Sequence, residues 1–138
     1  MRFLSRRLVM PNDLNPANFL FGGRALEWID EEAAIFAMCQ LDTKLLVTKH
    51  MGAISFESSA SAGDVVEFGL ATKKVGRTSL TVTCMVRNKD TKKTICLADD
   101  IVFVVVDPET RLPMPHGKTK EDLDEQMEKE IKTLNLDA

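Results

Sequence analysis

The sequence predicts an α+β domain in which an antiparallel sheet curls around one long helix, with a second, amphipathic helix at the C-terminus. Three observations point there. A helical pattern from Gly22 to about Leu41 is apolar around most of its circumference, so something must enclose it. Alternating strand patterns follow, joined by turns too short for anything but antiparallel neighbours. The run Ile101–Val106 is continuously β-branched or aromatic, as expected of a strand covered on both faces. One helix ahead of several strands suggests a sheet wrapped on that helix, although element order alone also fits other α+β sandwiches.

Each element has its own justification. Met1–Met10 carries basic residues without a continuous apolar stretch and reads as a first strand. On a 100° wheel, Leu26, Ile29, Ala33, Ala37 and Leu41 share one broad face of the helix. Trp28, Ile35, Phe36 and Met38 keep much of the remainder apolar, and small Ala25, Ala33, Ala34 and Ala37 allow close approach of backbone or ligand. Val66, Phe68 and Leu70 alternate with Glu67, Gly69 and Ala71. Leu80, Val82, Cys84 and Val86 alternate with Thr81, Thr83 and Arg87, the period of half-buried strands. Turns fall at Ala62-Gly63-Asp64, Val75-Gly76-Arg77 and Asn88-Lys89-Asp90. After Pro113-Met114-Pro115-His116-Gly117 the composition turns highly charged, and Leu123, Met127, Ile131 and Leu134 recur at helical spacing. Such a helix docks on its own sheet or on a neighbouring subunit. The expected organisation is one domain over residues 1–117 and a charged C-terminal helix over 118–138.

Composition excludes several classes. A chain of 138 residues is one domain by length. With 18 basic against 21 acidic residues, no tyrosine and one tryptophan, it has no basic stripe interleaved with aromatics, so nucleic acid is not an expected partner. An anionic ligand must be met by a local cluster of lysines and arginines. Cys39, Cys84 and Cys96 are odd in number and widely spaced, and read as reduced core residues. No CxxC occurs, and His50 and His116 lie far apart, so no zinc site is expected and no metal is needed. Without a stretch long enough to span a bilayer, the expected location is the cytoplasm.

The chemistry concentrates in residues 10–34. Projected around the helix, Asp30 falls between Leu26, Ala34, Ala37 and Leu41, whereas Glu27 and Glu31 fall on the outer side. Burying one carboxylate there costs free energy unless it is hydrogen-bonded or used. The bland alternative ties Asp30 to backbone amides or to Arg24. Gly22-Gly23 at the helix start lets a ligand carbonyl approach the unpaired amides of the first turn, where the helix dipole stabilises a developing oxyanion. Asn15, in the polar turn before the helix, can orient a water or hold that carbonyl. Asn12, Asp13 and Asn18 have the same turn chemistry.

With those residues in view, positions 10–34 resemble the single-domain acyl-coenzyme A thioesterases of the hot-dog superfamily, the group of bacterial YciA-type enzymes and cytosolic long-chain acyl-CoA hydrolases. The resemblance continues through Ala62-Gly63-Asp64-Val65-Val66 and Val75-Gly76-Arg77-Thr78-Ser79, covering roughly residues 8 to 113. It implies the hot-dog fold and hydrolysis of an acyl-CoA thioester to free acid and CoA, with no cofactor beyond the substrate. It implies catalysis by Asp30 and Asn15 from opposite subunits of a dimer, with Gly22 and Gly23 at the oxyanion. It also implies that the turn Val75–Ser79 meets the nucleotide, through Arg77, Thr78 and Ser79 with Lys74. Asp30 then acts as general base on water or as nucleophile, and the sequence does not separate the two. The chain departs from the resemblance in having Asn18 where many relatives have glycine, and Lys49-His50 where they have small or apolar residues. His50 is either an added polar contact in the substrate channel or an edge-facing residue. Two other functions use the same groove: a non-catalytic acyl-CoA-binding regulatory module, which has no need of Asp30, or an acyl-thioester hydratase, which needs a positioned acid and base such as His50. Pairing of open sheet edges, which the resemblance implies, predicts at least a dimer, and with the resemblance the expected assembly is a hexamer built of dimers.

Overall fold

The computed structural model describes residues 1–137, with side chains as far as Thr133. In chain order it contains β1 (Arg2–Leu8), a 3-10 turn (Pro11–Asp13), α1 (Gly22–Leu41), β2 (Leu46–Phe56), β3 (Val65–Val75), β4 (Ser79–Asn88), β5 (Thr94–Val105) and α2 (Lys120–Asp137). The five strands form one antiparallel sheet in the order β1-β3-β4-β5-β2. That is the antiparallel sheet on a central helix, with the C-terminal helix, expected from the sequence.

The sheet curls because every ladder is interrupted. Pairing skips Leu4 in β1, Lys49 in β2 and Lys73 in β3, and slips between Val82 and Cys84 where β4 meets β5. An extra residue on one side of a pair bends the strand and increases its twist, which wraps the sheet around α1. The concave face carries Phe68, Leu70, Leu80, Val82, Cys84, Ile101 and Phe103, all buried against Ile29, Ala33 and Ala37 of the helix. Burial of side chains this size contributes about 1.5–3 kcal/mol each, so the face that α1 presents is strongly specified. Trp28 meets the Phe68 ring edge-on at 6.4 Å. Arg7 of β1 lies over the Trp28 ring at 5.5 Å and bonds Glu31 and Glu32, tying the first strand to the helix.

Enclosure of α1 is one-sided, which corrects two expectations. Glu27, Glu31, Ile35 and Cys39, spaced by four, form an exposed outer ridge. Ile35 therefore faces outward, and Cys39 is not a core thiol; only Cys84 and Cys96 are buried. Burial pushes those two thiols up to about 12 and about 11, so both stay protonated and inert at neutral pH. The helix α2 docks on its own chain. Leu123 is buried, Gln126 Nε2 donates to the Cys39 carbonyl at 3.2 Å, and Glu130 pairs with Arg2. Ile131 of the expected apolar stripe is exposed, and the Leu134 side chain lies outside the described residues.

Two strand boundaries exceed what alternation marks. β5 begins at Thr94, well before Ile101, and β2 is a full strand of 11 residues at the sheet edge. On the outer face of β3, Glu67 is buried beneath three cations: Arg87 at 2.7 Å, Lys92 at 3.1 Å and Arg6 at 3.3 Å. Burial alone raises its pKa; the hydrogen bonds from Arg87, Lys92 and Arg6 overcome this and hold the carboxyl at about 2. Among the described residues no helix is long and apolar enough to cross a membrane.

Candidate active site

The loop before α1 is built on two carboxamide and carboxylate hubs. Asn15-Pro16-Ala17-Asn18 closes a tight turn, with Asn18 N donating to the Asn15 carbonyl at 2.9 Å. Asn18 has φ 65°, the left-handed region in which asparagine is tolerated best after glycine, so its departure from the relatives' glycine keeps the turn. Asn15 Oδ1 accepts from the amides of Ala17 and Phe19 at 2.9 and 3.2 Å. That uses up its acceptor and leaves Nδ2, which has no partner among the described residues, as the group it can offer a ligand. Asp13 is a buried anchor that turn chemistry alone did not reveal. Its Oδ2 accepts from Met10 N at 2.9 Å, its Oδ1 meets Arg24 Nε at 3.3 Å, and its carbonyl accepts from Phe21 N at 2.9 Å. Arg24 is thus engaged by Asp13 and Glu27 rather than by Asp30.

The first turn of α1 is open. Phe21 occupies the N-cap with no side-chain hydrogen bond, so the leading amides of Gly22 and Gly23 carry the positive end of the helix dipole without a capping acceptor. A Cβ on Gly23 would lie 2.7 Å from the Phe21 ring, and one on Gly22 would touch the Phe56 ring at 3.4 Å, so the pair keeps this entrance narrow and unobstructed.

Asp30 is half-buried and accepts a hydrogen bond from Thr48 Oγ1 at 2.8 Å. Thr48 lies on β2, whose outer edge is unpaired in the single chain, so the carboxylate stands beside that open edge rather than deep in the core. Glu27 and Glu31 are exposed, as their positions on the wheel predict. Thr48 is a site residue that no sequence pattern indicated: it lies in the strand with no clean alternation. His50, two residues on, is exposed, which favours its edge-facing reading over a channel contact.

Gly22 and Asp30 stand eight positions apart on the same helix, about 12 Å at 1.5 Å per residue. The start of α1 touches Phe56 at the end of β2, while Asp30 touches Thr48 near its beginning. Were β2 to pair antiparallel with β2 of a second copy, the beginning of one strand would face the end of the other, and Asp30 of one copy would lie toward Gly22 and Gly23 of the second.

The turn after β3 is reached along the same strands. Val47 of β2 pairs with Val104 of β5, which pairs with Ser79 of β4. Thr78 and Ser79 line a surface groove of about 310 Å³ that also takes in Val47 and Lys49. Lys74 and Arg77 are exposed and stand outside this groove. No cluster of metal-ligating side chains occurs among the described residues.

Fold and site together define a class: a hot-dog fold with a helix carboxylate at an open sheet edge. Residues 17–95 match the model of the thioesterase superfamily, and the chain belongs to that superfamily. It is 32% identical, over 122 residues covering 81% of this chain and 90% of the other, to an uncharacterized acyl-CoA thioester hydrolase of Buchnera aphidicola subsp. Baizongia pistaciae. Among solved structures it is similar to the hexameric thioesterase y2039 from Yersinia pestis, with a TM-score of 0.76 and 26% identity over 86% of this chain and 97% of that one. It is also similar to Cj0915, a hexameric hotdog fold thioesterase of Campylobacter jejuni, with a TM-score of 0.72 and 27% identity over 88% and 92% of the two chains.

Proposed function

We propose that this protein hydrolyses acyl-coenzyme A thioesters to a free carboxylic acid and CoA, at sites shared between two copies paired through β2. The observation that carries the reading is the placement of Asp30 on the helix, bonded to Thr48 at the unpaired strand, about 12 Å from the open helix start of its own chain. The relative from Buchnera, an acyl-CoA thioester hydrolase by name, supports the substrate class.

In this reading the thioester carbonyl oxygen accepts from the amides of Gly22 or Gly23 of one copy, which stabilise negative charge as the carbonyl becomes tetrahedral. Asn15 of that copy donates through Nδ2, since its oxygen is already held by Ala17 and Phe19. Asp30 of the other copy takes a proton from the attacking water, or attacks the carbonyl itself to give an anhydride that water then opens. In both routes the C–S bond breaks, CoA leaves as the thiol and one water is consumed. Thr78 and Ser79 receive the nucleotide end of the substrate, with Lys74 and Arg77 adding positive charge around it. Residues 1–117 carry every group this chemistry uses, and the helix beyond 118 is an appendage to the domain. Three such dimers form a hexamer, an assembly consistent with the hexameric Yersinia and Campylobacter proteins. The cytoplasm is the location proposed for this activity.

The test is Asp30→Asn, with thiol release measured across acyl-CoAs from acetyl to palmitoyl. Turnover falls by about two or more powers of ten while the fold persists, since loss of a positioned base costs that much. A folded Asp30→Asn protein with near wild-type hydrolysis refutes the assignment.

A further inference from the structure

We propose that the cavity between β1, α1 and α2 binds a small uncharged molecule with an apolar body and one hydroxyl group, whose proton is donated to Gln40 Oε1. The cavity holds about 300 Å³, at the lower end of the range that ligand pockets span. From α1 it takes in Glu32, Ile35, Cys39 and Gln40. At 100° per residue, Cys39 lies about 180° around the helix from Asp30, Glu32 about 160° and Ile35 about 140°, so the cavity is on the far side of α1 from the candidate active site. It opens beside β1, at one edge of the sheet, whereas Thr48 and its bond to Asp30 belong to β2 at the other. The site is separate from the acyl-CoA reading above and does not depend on it.

Gln40 is the residue that asks for a ligand. It is 3% exposed, among the buried Ile29, Ala33, Ala37 and Leu41 of the same helix, and its Oε1 is buried without a hydrogen-bond partner among the described residues. A buried carboxamide oxygen with no donor costs free energy that an apolar side chain of the same size does not. The other polar side chains of the wall are engaged with one another. Ser5 Oγ donates to Glu32 Oε2 at 2.7 Å, Glu32 Oε1 accepts from Arg7 at 2.9 Å, and Arg2 pairs with Glu130 at 2.9 Å. Each charge in the wall thus already has its counter-ion, which selects against an ionic occupant. Leu4, Ile35, Phe36 and Leu70 supply the apolar part of the wall. A lone water needs about two to four polar partners, so an unpartnered oxygen facing aliphatic and aromatic carbon suits a molecule that brings one donor on an apolar body. Because Glu130 of α2 closes one side, an occupant touches β1, α1 and α2 at once and strengthens the docking of α2.

The experiment titrates the full chain with 4-propylphenol and with 4-propylanisole, which keeps the ring and the chain but has no hydroxyl proton, and reads affinity from ligand-observed NMR. The wild type binds the phenol about fivefold or more tightly than the anisole, as one hydrogen bond to a buried acceptor requires. Gln40→Leu and Gln40→Met, which replace an unpaired polar group by apolar ones of similar size, bind the two probes within about twofold of each other. Circular dichroism checks that each variant is folded. A measurement on the wild type alone locates the probe: intermolecular NOEs connect the phenol ring to the methyl groups of Ile35 and Leu70, which line the cavity. Absence of phenol binding, which leaves Gln40 to water, overturns the proposal. So do equal affinities of the wild type for the two probes, a phenol preference that survives in a folded Gln40 variant, and NOEs that reach only methyl groups outside the cavity.

Discussion

If each reaction centre takes Asp30 from one copy and Asn15 with the glycine amides from the other, two inactive proteins restore activity when mixed. The perturbations are Asp30→Asn and Asn15→Asp. The second keeps an oxygen where Ala17 N and Phe19 N need one, so the turn survives, and removes only the Nδ2 donor. The magnitude follows from the geometry of the pair. Subunits exchanged at equal concentration give half heterodimers, each with one doubly damaged centre and one intact centre, so about a quarter of all centres are intact. If Asp30 and Asn15 served the same carbonyl within one chain, every centre in every dimer would carry a lesion and no activity would return. The assay is thiol release after co-refolding of differently tagged subunits, with heterodimers verified by sequential affinity capture. A verified heterodimer no more active than the mean of its parents refutes the shared centre.

Two further predictions concern residues that touch the site or the outer sheet. Thr48→Val keeps the β-branched shape and removes the 2.8 Å hydrogen bond to Asp30. A bond to a charged acceptor at a partly exposed position is worth about 1–2 kcal/mol, so kcat falls roughly five- to thirtyfold, and Thr48→Ser recovers most of it. Unchanged kcat in Thr48→Val shows that Asp30 is positioned without this strand. Glu67 bears on stability. Its carboxyl titrates at about 2 in the folded protein against 4.5 ordinarily, so its stabilising contribution is complete above pH 4.5 and is lost as the pH falls toward 2. Because Arg6 and Lys92 are 60% and 55% exposed, solvent screening reduces this contribution to on the order of 1 kcal/mol. Glu67→Gln therefore flattens urea-derived stability against pH in that window, and a slope equal to the wild type's contradicts the assignment.

What could be read directly from the sequence was whatever a regular period encodes. The bounds of α1 at Gly22 and Leu41 fall where the sequence placed them, because an apolar face, a diglycine start and a polar exit coincide. β3 and β4 declared themselves by alternation, since apolar side chains line one face of each and mainly polar or small residues the other, even where that second face is buried as at Glu67 and Thr81. Ile35 and Cys39 were misplaced for a related reason. A wheel counts apolar residues without knowing how far the sheet reaches around the helix, and the curl stops short of their ridge. The carboxylate positions were separable on the wheel, yet the number of backbone groups that Asp13 gathers depends on where residues 10, 21 and 24 meet in space.

β2 escaped a periodic reading, only the resemblance having marked Lys49 and His50 as strand positions, for the same physical reason that gives it its proposed role. Its sequence, Leu46 to Phe56, has no steady alternation because Lys49 is bulged out of the ladder, Gly52 supplies no side chain and Ala53 takes φ 51°. Most of its residues are exposed in a single chain, so no burial signal accumulates on either face. A strand of 11 residues with one bare edge is an aggregation hazard unless something covers it, and its only lysine, Lys49, is a sparse deterrent. The irregularities that hide β2 from a periodic reading also bend it, beside the point where Thr48 meets Asp30. In the proposed dimer a second copy covers this edge, and covering it is the step that completes the proposed site.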